Sequence, residues 1–203
     1  MKVVSILDYG MGNLKSVQNA LEFFKIRYLI TNEKNKIDDS DLLILPGVGS
    51  FKQAMINIKS LGLDDIIKEN VIKLEKPILG ICLGMQLFAD EGEEDGISKG
   101  LGLIPGRTVK LNSGDFPIPH VGFNEINWNK KSQMNEEKIN EFYFVHSYHF
   151  KTLHKEHILG TTNYGTNFIS AVWNKNIYGV QFHPEKSQSN GLLFLKKFIE
   201  LDR

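Results

Sequence analysis

The order of apolar segments over the first ninety residues limits what this chain can fold into more than any other feature. Val3 to Leu7 is a short apolar run that enters a glycine-rich turn, Asp8-Tyr9-Gly10-Met11-Gly12-Asn13. Leu14, Val17, Leu21 and Phe24, with Ala20 beside them, then recur at helical spacing. Asp41 to Leu45 is a second apolar run, closed by Pro46-Gly47. Ile66, Ile67, Val71 and Leu74 mark another helix. Pro77 to Ile81 is a third run, and Met85 to Ala89 begins the next helix. Short unbroken apolar strands are those buried on both faces, and alternation with amphipathic helices specifies a parallel sheet covered on both sides. The second half changes character. Leu101–Ile104, Thr108–Leu111, Phe142–Val145, Phe168–Val172 and Ile177–Phe182 read as strands. Ser189-Asn190 reads as the cap of a last helix through Leu192, Leu195, Phe198 and Ile199. The polar stretch from Trp128 to Glu141 reads as an exposed loop. The expected architecture is α/β: a mainly parallel central sheet with an antiparallel extension and helices on both faces, residues 1–203 forming one domain.

Composition narrows the function. Of 203 residues, 24 are Lys or Arg and 24 are Asp or Glu, so the net charge is zero and no basic excess points to nucleic acid. The lone cysteine, Cys82, excludes a disulfide framework. No segment approaches the ~20 apolar residues of a membrane helix, and the N-terminal run is too short for a secretory signal. A cytoplasmic protein is expected.

The strongest chemical signal is Gly80-Ile81-Cys82-Leu83-Gly84, set between an expected strand and an expected helix. Small residues two before and two after allow the sharp turn that lifts a nucleophile out of a sheet. The N–H of Leu83 then faces a developing oxyanion, and the helix start favours thiolate. Alone, the pentapeptide is equally compatible with a buried, inert cysteine. A thiol nucleophile needs a base and the base an orienting group. His183-Pro184-Glu185 follows the last apolar strand, so His183 and Glu185 form with Cys82 a candidate triad. Pro46-Gly47-Val48-Gly49-Ser50-Phe51 ends the second strand and is either a tight turn or a second source of oxyanion N–H groups. Gly10-Met11-Gly12 lacks the third glycine of a dinucleotide fingerprint. His146 and His149 lie an odd number apart along an expected strand, hence on opposite faces, and with His154 and His157 make no expected zinc set.

Taken together, these segments resemble the class I glutamine amidotransferases, whose fold is flavodoxin-like. Within that class they resemble the glutaminase subunits of imidazole glycerol phosphate synthase. The likeness is carried by Pro46–Phe51, Gly80–Leu87, Pro119-His120-Val121-Gly122-Phe123-Asn124, Phe142–Tyr148 and Gly179–Ser187, spread over nearly the whole chain. It implies that Cys82 attacks the side-chain amide of glutamine, that His183 moves the protons and that Glu185 orients His183. Leu83, Val48 and Gly49 supply oxyanion N–H groups, the latter pair after a local rearrangement. Gln86, Glu94, Ser147 and Tyr148 bind L-glutamine. Asn13, Ser16, Phe123 and Tyr143 lie at the face of a (β/α)8-barrel cyclase partner, in a heterodimer where ammonia closes an imidazole ring. No metal, organic cofactor, nucleic acid or membrane is implied. The family usually has Trp at position 123 and Met at 121, where this chain has Phe123 and Val121. This leaves two other readings open: an ammonia-supplying subunit of a surface-sugar amidotransferase, or a stand-alone Cys-His hydrolase.

Overall fold

The computed structural model describes residues 2–129 and 140–201. The first half alternates as expected: β1 (Val3–Leu7), α1 (Leu14–Phe23), β2 (Arg27–Thr31), α2 (Lys34–Asp38), β3 (Leu42–Gly47), α3 (Phe51–Ser60), α4 (Leu63–Lys68), β4 (Ile78–Cys82) and α5 (Leu83–Gln86). A π-helical stretch, Glu69–Lys73, extends α4. The second half is mostly strand: β5 (Glu91–Gly92), β6 (Ser98–Lys99), β7 (Arg107–Lys110), β8 (His120–Glu125), β9 (Asn127–Trp128), β10 (Glu141–His146), β11 (Tyr148–Lys151), β12 (Ile158–Tyr164), β13 (Thr166–Asn174) and β14 (Ile177–Val180). A 3-10 turn, Pro184–Lys186, leads into α6 (Gln188–Glu200).

The main sheet runs β2-β1-β3-β4-β14-β13-β11-β7-β5-β6, with β12 pairing β13 and β9 pairing β12. From β2 to β14 all neighbours are parallel, and β13 then pairs antiparallel with β14, which is the expected extension. β8 and β10 form a separate antiparallel pair, with Tyr143 opposite Phe123 and His146 opposite His120. Alternation along β3 sorts its side chains into two cores. Leu42 and Ile44 join Val17, Leu21, Phe194 and Phe198 from α1 and α6, whereas Leu43 and Leu45 join Ala54, Met55, Ile58 and Ile67 from α3 and α4. The sheet is thus covered on both faces, and its carboxyl edge, where β3, β4 and β14 end side by side, carries Gly47, Cys82 and the segment leading to His183.

Several local expectations differ from what forms. β2 was not expected, because its residues sit on a sheet edge and are mostly exposed, so they lack a continuous apolar signal. The helix beginning at Met85–Ala89 is instead the four-residue α5, ending at Gln86. Leu101–Ile104 is no strand: its N–H groups bond the carbonyls of Leu87, Phe88 and Ala89, wrapping the chain after α5 and drawing on the acceptors a longer helix needs. Its apolar side chains are buried, which is why the run reads as a strand. The last helix starts at Gln188 rather than after Ser189-Asn190, and Ser187 at its start makes no side-chain cap. The Ser187 hydroxyl instead donates to the His183 carbonyl (2.6 Å) and accepts from the Tyr143 N–H (2.9 Å). Of the stretch expected as a loop, Trp128 lies in β9 and Glu141 in β10. Residues 130–139 lie outside the described residues.

Candidate active site

Cys82 closes β4 and precedes α5 with φ 53° and ψ −107°, a left-handed backbone unusual for a side-chain-bearing residue. The flanking glycines explain how the chain tolerates it. A Cβ at Gly84 would lie 1.8 Å from the Leu45 carbonyl oxygen, and one at Gly80 2.7 Å from the Gly84 backbone. The turn is therefore compressed against β3 at one point and against itself at the other. Leu83 is the first residue of α5, so its N–H has no intrahelical acceptor and borders the same space as the thiol.

His183 reaches Cys82 from beyond β14. Its N–H donates to the Tyr143 carbonyl (2.8 Å), and its Nδ1 lies 2.8 Å from Glu185 Oε1, both side chains essentially fully buried. Nε2 makes no hydrogen bond of acceptable geometry and is left facing the sulfur side. Burial disfavours the imidazolium, but the negative charges of a Cys82 thiolate and of Glu185 outweigh it, and the His183 pKa is pushed up to about 10. Tyr9, buried beyond β1 and donating to the Pro46 carbonyl (2.8 Å), is pushed well up by burial and then by the Cys82 charge.

Cys82 and His183 open on a cavity of about 430 Å³, within the range for a small-molecule site. Val48, Gly49, Leu83, Gln86, Glu94, Ser147 and Tyr148, all singled out in the sequence, line it together with Ser50, Pro119, Val145 and His146. Glu94 accepts the Phe51 N–H (2.8 Å); burial raises its pKa, and that hydrogen bond partly offsets the rise. Tyr148 is raised by burial and by the Glu94 charge. Gln86 donates both amide hydrogens inward, to the Tyr148 carbonyl (2.8 Å) and Gln181 Oε1 (3.2 Å). Gly49 has φ 103°, and the Val48 N–H donates to the Met11 carbonyl at 3.4 Å. The two expected oxyanion sources thus differ: Leu83 lines the cavity beside Cys82, and the Val48 N–H is bonded to Met11.

The sequence pattern of the family described as glutamine amidotransferase class-I matches residues 5–201. The chain belongs to the class-I glutamine amidotransferases. Similar full-length relatives include "Imidazole glycerol phosphate synthase subunit HisH 2" of Methanococcus maripaludis, 46% identical, covering 98% of this chain and 99% of the relative. The subunit named HisH 1 of Campylobacter jejuni is 42% identical, with 98% and 100% covered. The HisH subunit of Oceanobacillus iheyensis is 42% identical, with 99% and 100% covered. Among solved structures, PurLQS from Thermotoga maritima superposes with a TM-score of 0.74 at 19% identity, covering 98% of each chain. A glutamine amidotransferase from the same organism gives 0.65 at 16%, covering 98% of this chain and 81% of that one. At such identities these two show the shared fold.

In this amidotransferase none of the four residues singled out for a partner face lines the cavity. Phe123 and Tyr143 face each other across β8 and β10 with ring centres 5.6 Å apart, and Phe123 is 45% exposed. Asn13 precedes α1 without a side-chain cap, and Ser16 lies in its first turn. α1 packs on the Pro184–Lys186 turn behind His183. Sequence reasoning missed Gln181, whose amide lies 3.6 Å from the sulfur, and His146, weighed only as a metal ligand. No strand alternation marks the first, because β14 ends at Val180 and Gln181 lies beyond it in a bend.

The expectation that His146 and His149 face opposite ways fails. The chain breaks between β10 and β11 at Ser147, ending the alternation, and both rings pack on Phe168. Both His146 nitrogens are engaged, with His120 Nδ1 (3.1 Å) and the Tyr148 carbonyl (2.9 Å). Among the described residues, ligand atoms of His154, Glu156 and His157 come within 4.8 Å of one another. These side chains lie at the surface, where His154 pairs with Glu156 and His157 Nδ1 bonds the Trp173 carbonyl. No described helix is long and apolar enough to cross a membrane.

Proposed function

We propose that this chain is the glutaminase subunit of an imidazole glycerol phosphate synthase, hydrolysing L-glutamine to glutamate and ammonia. The observation that carries the reading is the convergence, in one cavity, of the only cysteine on its strained elbow with the buried His183–Glu185 pair. Near-full-length likeness to subunits of that name supports the pathway.

In this reading the Cys82 thiolate attacks the glutamine side-chain carbonyl. The Leu83 N–H stabilises the resulting oxyanion, and a second donor from Val48-Gly49 joins once Val48 leaves Met11. His183 enters as imidazolium, consistent with its raised pKa, and protonates the departing nitrogen as the C–N bond breaks. Ammonia leaves and a γ-glutamyl thioester remains. Neutral His183 then takes a proton from water as its oxygen adds to the thioester, and collapse expels the thiolate with glutamate. Glu185 holds the ring in the required tautomer and stabilises its charge. Across the cavity Glu94 supplies a carboxylate for the α-ammonium group, while Gln86 Oε1, Ser147 and Tyr148 provide further polar contacts. Ammonia passes to a (β/α)8-barrel cyclase subunit docked over Asn13, Ser16, Phe123 and Tyr143, which yields imidazole glycerol phosphate and aminoimidazole carboxamide ribotide.

The test is ammonia release from glutamine by the purified chain, alone and then with a histidine-pathway cyclase subunit and its nucleotide substrate. Slow release that rises steeply with both is expected. Equal release with and without the cyclase would move the acceptor to a sugar amidotransferase or make the chain a stand-alone hydrolase. Release of products other than ammonia would discard the glutaminase reading.

A further inference from the structure

Behind the cavity a run of buried amides ends on the sulfur. The side chains of Gln86 and Gln181 are almost fully buried, at 5% and 0% exposure. The Tyr148 carbonyl can only accept, and it lies 2.8 Å from Gln86 Nε2. The second hydrogen of the same nitrogen meets Gln181 Oε1 at 3.2 Å. An amide whose oxygen faces Gln86 must turn its nitrogen the other way, and Gln181 Nε2 lies 3.6 Å from Cys82 Sγ. The direction of the Gln181 amide is therefore set by the network, since a flip would oppose two N–H groups at Gln86. The backbone is pinned on both sides: the Gln181 N–H bonds the Ser170 carbonyl (2.8 Å) and the His183 N–H bonds the Tyr143 carbonyl (2.8 Å). Gln181 thus reaches the sulfur, and His183 the cavity that holds it, from the bend past β14, with Phe182 between them in the core.

We propose that Gln181 belongs to the reaction centre, its side-chain N–H holding the Cys82 sulfur as an anion, and that Gln86 and the Tyr148 carbonyl aim that N–H. A neutral thiol has another use for its hydrogen, the Val145 carbonyl at 3.8 Å, so the thiol donates there while the thiolate gains from the Gln181 donor. The amide stabilises the charged form selectively and needs no movement to do so. It also persists through the cycle, because Gln181 keeps its hydrogens while His183 gives up and regains a proton. This assignment deepens the glutaminase reading and rests on it only for the effect on turnover.

Cys82 is the only cysteine, so alkylation of the full chain by iodoacetamide reports this sulfur alone. The titratable groups around it are His183 with Glu185 behind it, Tyr9 beyond β1, His146 from β10, and Glu94 and Tyr148 across the cavity. All are unchanged in Gln181→Met, which keeps the side-chain length and removes the donor. The alkylation rate against pH is expected to move its midpoint upward by about one pH unit in Gln181→Met. Turnover of glutamine at neutral pH is expected to fall about tenfold. Superimposable alkylation profiles for the two proteins would overturn the proposal. If Gln181→Met does not fold, Gln86→Met leaves Gln181 in place and frees its amide to turn. A smaller upward shift is then expected, and an unmoved midpoint overturns the proposal equally. A shifted alkylation midpoint in a chain that releases no ammonia from glutamine would leave this assignment standing and remove the glutaminase reading.

Discussion

The positive φ of Cys82 is held by contacts that leave no room for a side chain at Gly84. A methyl group there would meet the Leu45 carbonyl at 1.8 Å, so the strand and the elbow would have to separate. Gly84→Ala is expected to destabilise the fold by about 3 kcal/mol or more and to abolish turnover, read by urea denaturation and ammonia release. An unchanged denaturation midpoint would mean that the elbow is looser than this contact implies. The triad predictions belong to the same scale. Cys82→Ala is expected to release no ammonia from glutamine, while added ammonium salt still supports synthesis by the cyclase. His183→Asn should lose nearly as much, on the order of 10³-fold or more, because nucleophile and base act as one unit. Near-normal ammonia release by His183→Asn would assign the base elsewhere. The residue types at these positions were legible because each chemistry needs particular atoms at short spacing. Gln181 was not, since an amide beside a sulfur leaves no pattern in the chain.

Two elements hold His183. The β8–β10 pair fixes it through the Tyr143 carbonyl, and α1 packs beneath the turn that follows it. These elements also carry the residues proposed for the partner face, of which Phe123 is exposed and Asn13, Ser16 and Tyr143 are half-buried. Docking there would therefore press on the backbone that carries His183, without touching the cavity. Phe123→Ala is expected to weaken association with the cyclase about tenfold or more, measured by titration calorimetry. Equal affinity would remove Phe123 from the interface. The expected elements succeed and fail for physical reasons at this scale. β1, β3 and β4 are buried on both faces and read directly as apolar runs. α3 buries Phe51, Ala54, Met55 and Ile58 at helical spacing, so its signal was present and went unread. Leu101–Ile104 carries the same apolar signature as a strand, and only the position of the Leu87, Phe88 and Ala89 carbonyls decides that it wraps instead.

For the whole molecule, pH should act through two histidines outside the Cys82, His183 and Glu185 set. His120 stacks on Tyr164 and Phe144, and its Nδ1 lies 3.1 Å from His146 Nε2. Because the Tyr148 carbonyl must receive a hydrogen from His146 Nδ1, His120 donates to His146 and both rings are neutral. Burial takes the His120 pKa down to about 4 and that of His146 down to about 3, from 6.5 in the open chain. The unfolded chain therefore binds more protons than the native one below pH 6.5. Stability is present above that value and is lost progressively as the pH falls toward 3. By linkage the two rings cost roughly 2–4 kcal/mol together at pH 5. The urea midpoint is expected to drop between pH 7.5 and pH 5, while both ring resonances stay those of neutral imidazole. Protonated His120 and His146 in the native protein at pH 5 would contradict this account.

What was legible in the chain itself was whatever depends on local pattern. The apolar runs specified the parallel half of the sheet with helices on both faces. The glycine spacing specified a sharp turn at Cys82, and the short His183-Pro184-Glu185 segment specified a histidine paired with a carboxylate. Contacts between segments remote in sequence decided the rest. The length of α5 depends on the Leu101–Ile104 wrap, and the His146–His149 geometry on the break at Ser147. The Val48 donor is held by Met11, and the direction of the Gln181 amide follows from Gln86 and Tyr148. Hydrogen-bond direction and steric closure are properties of atoms brought together from several strands, and no periodicity along one strand encodes them.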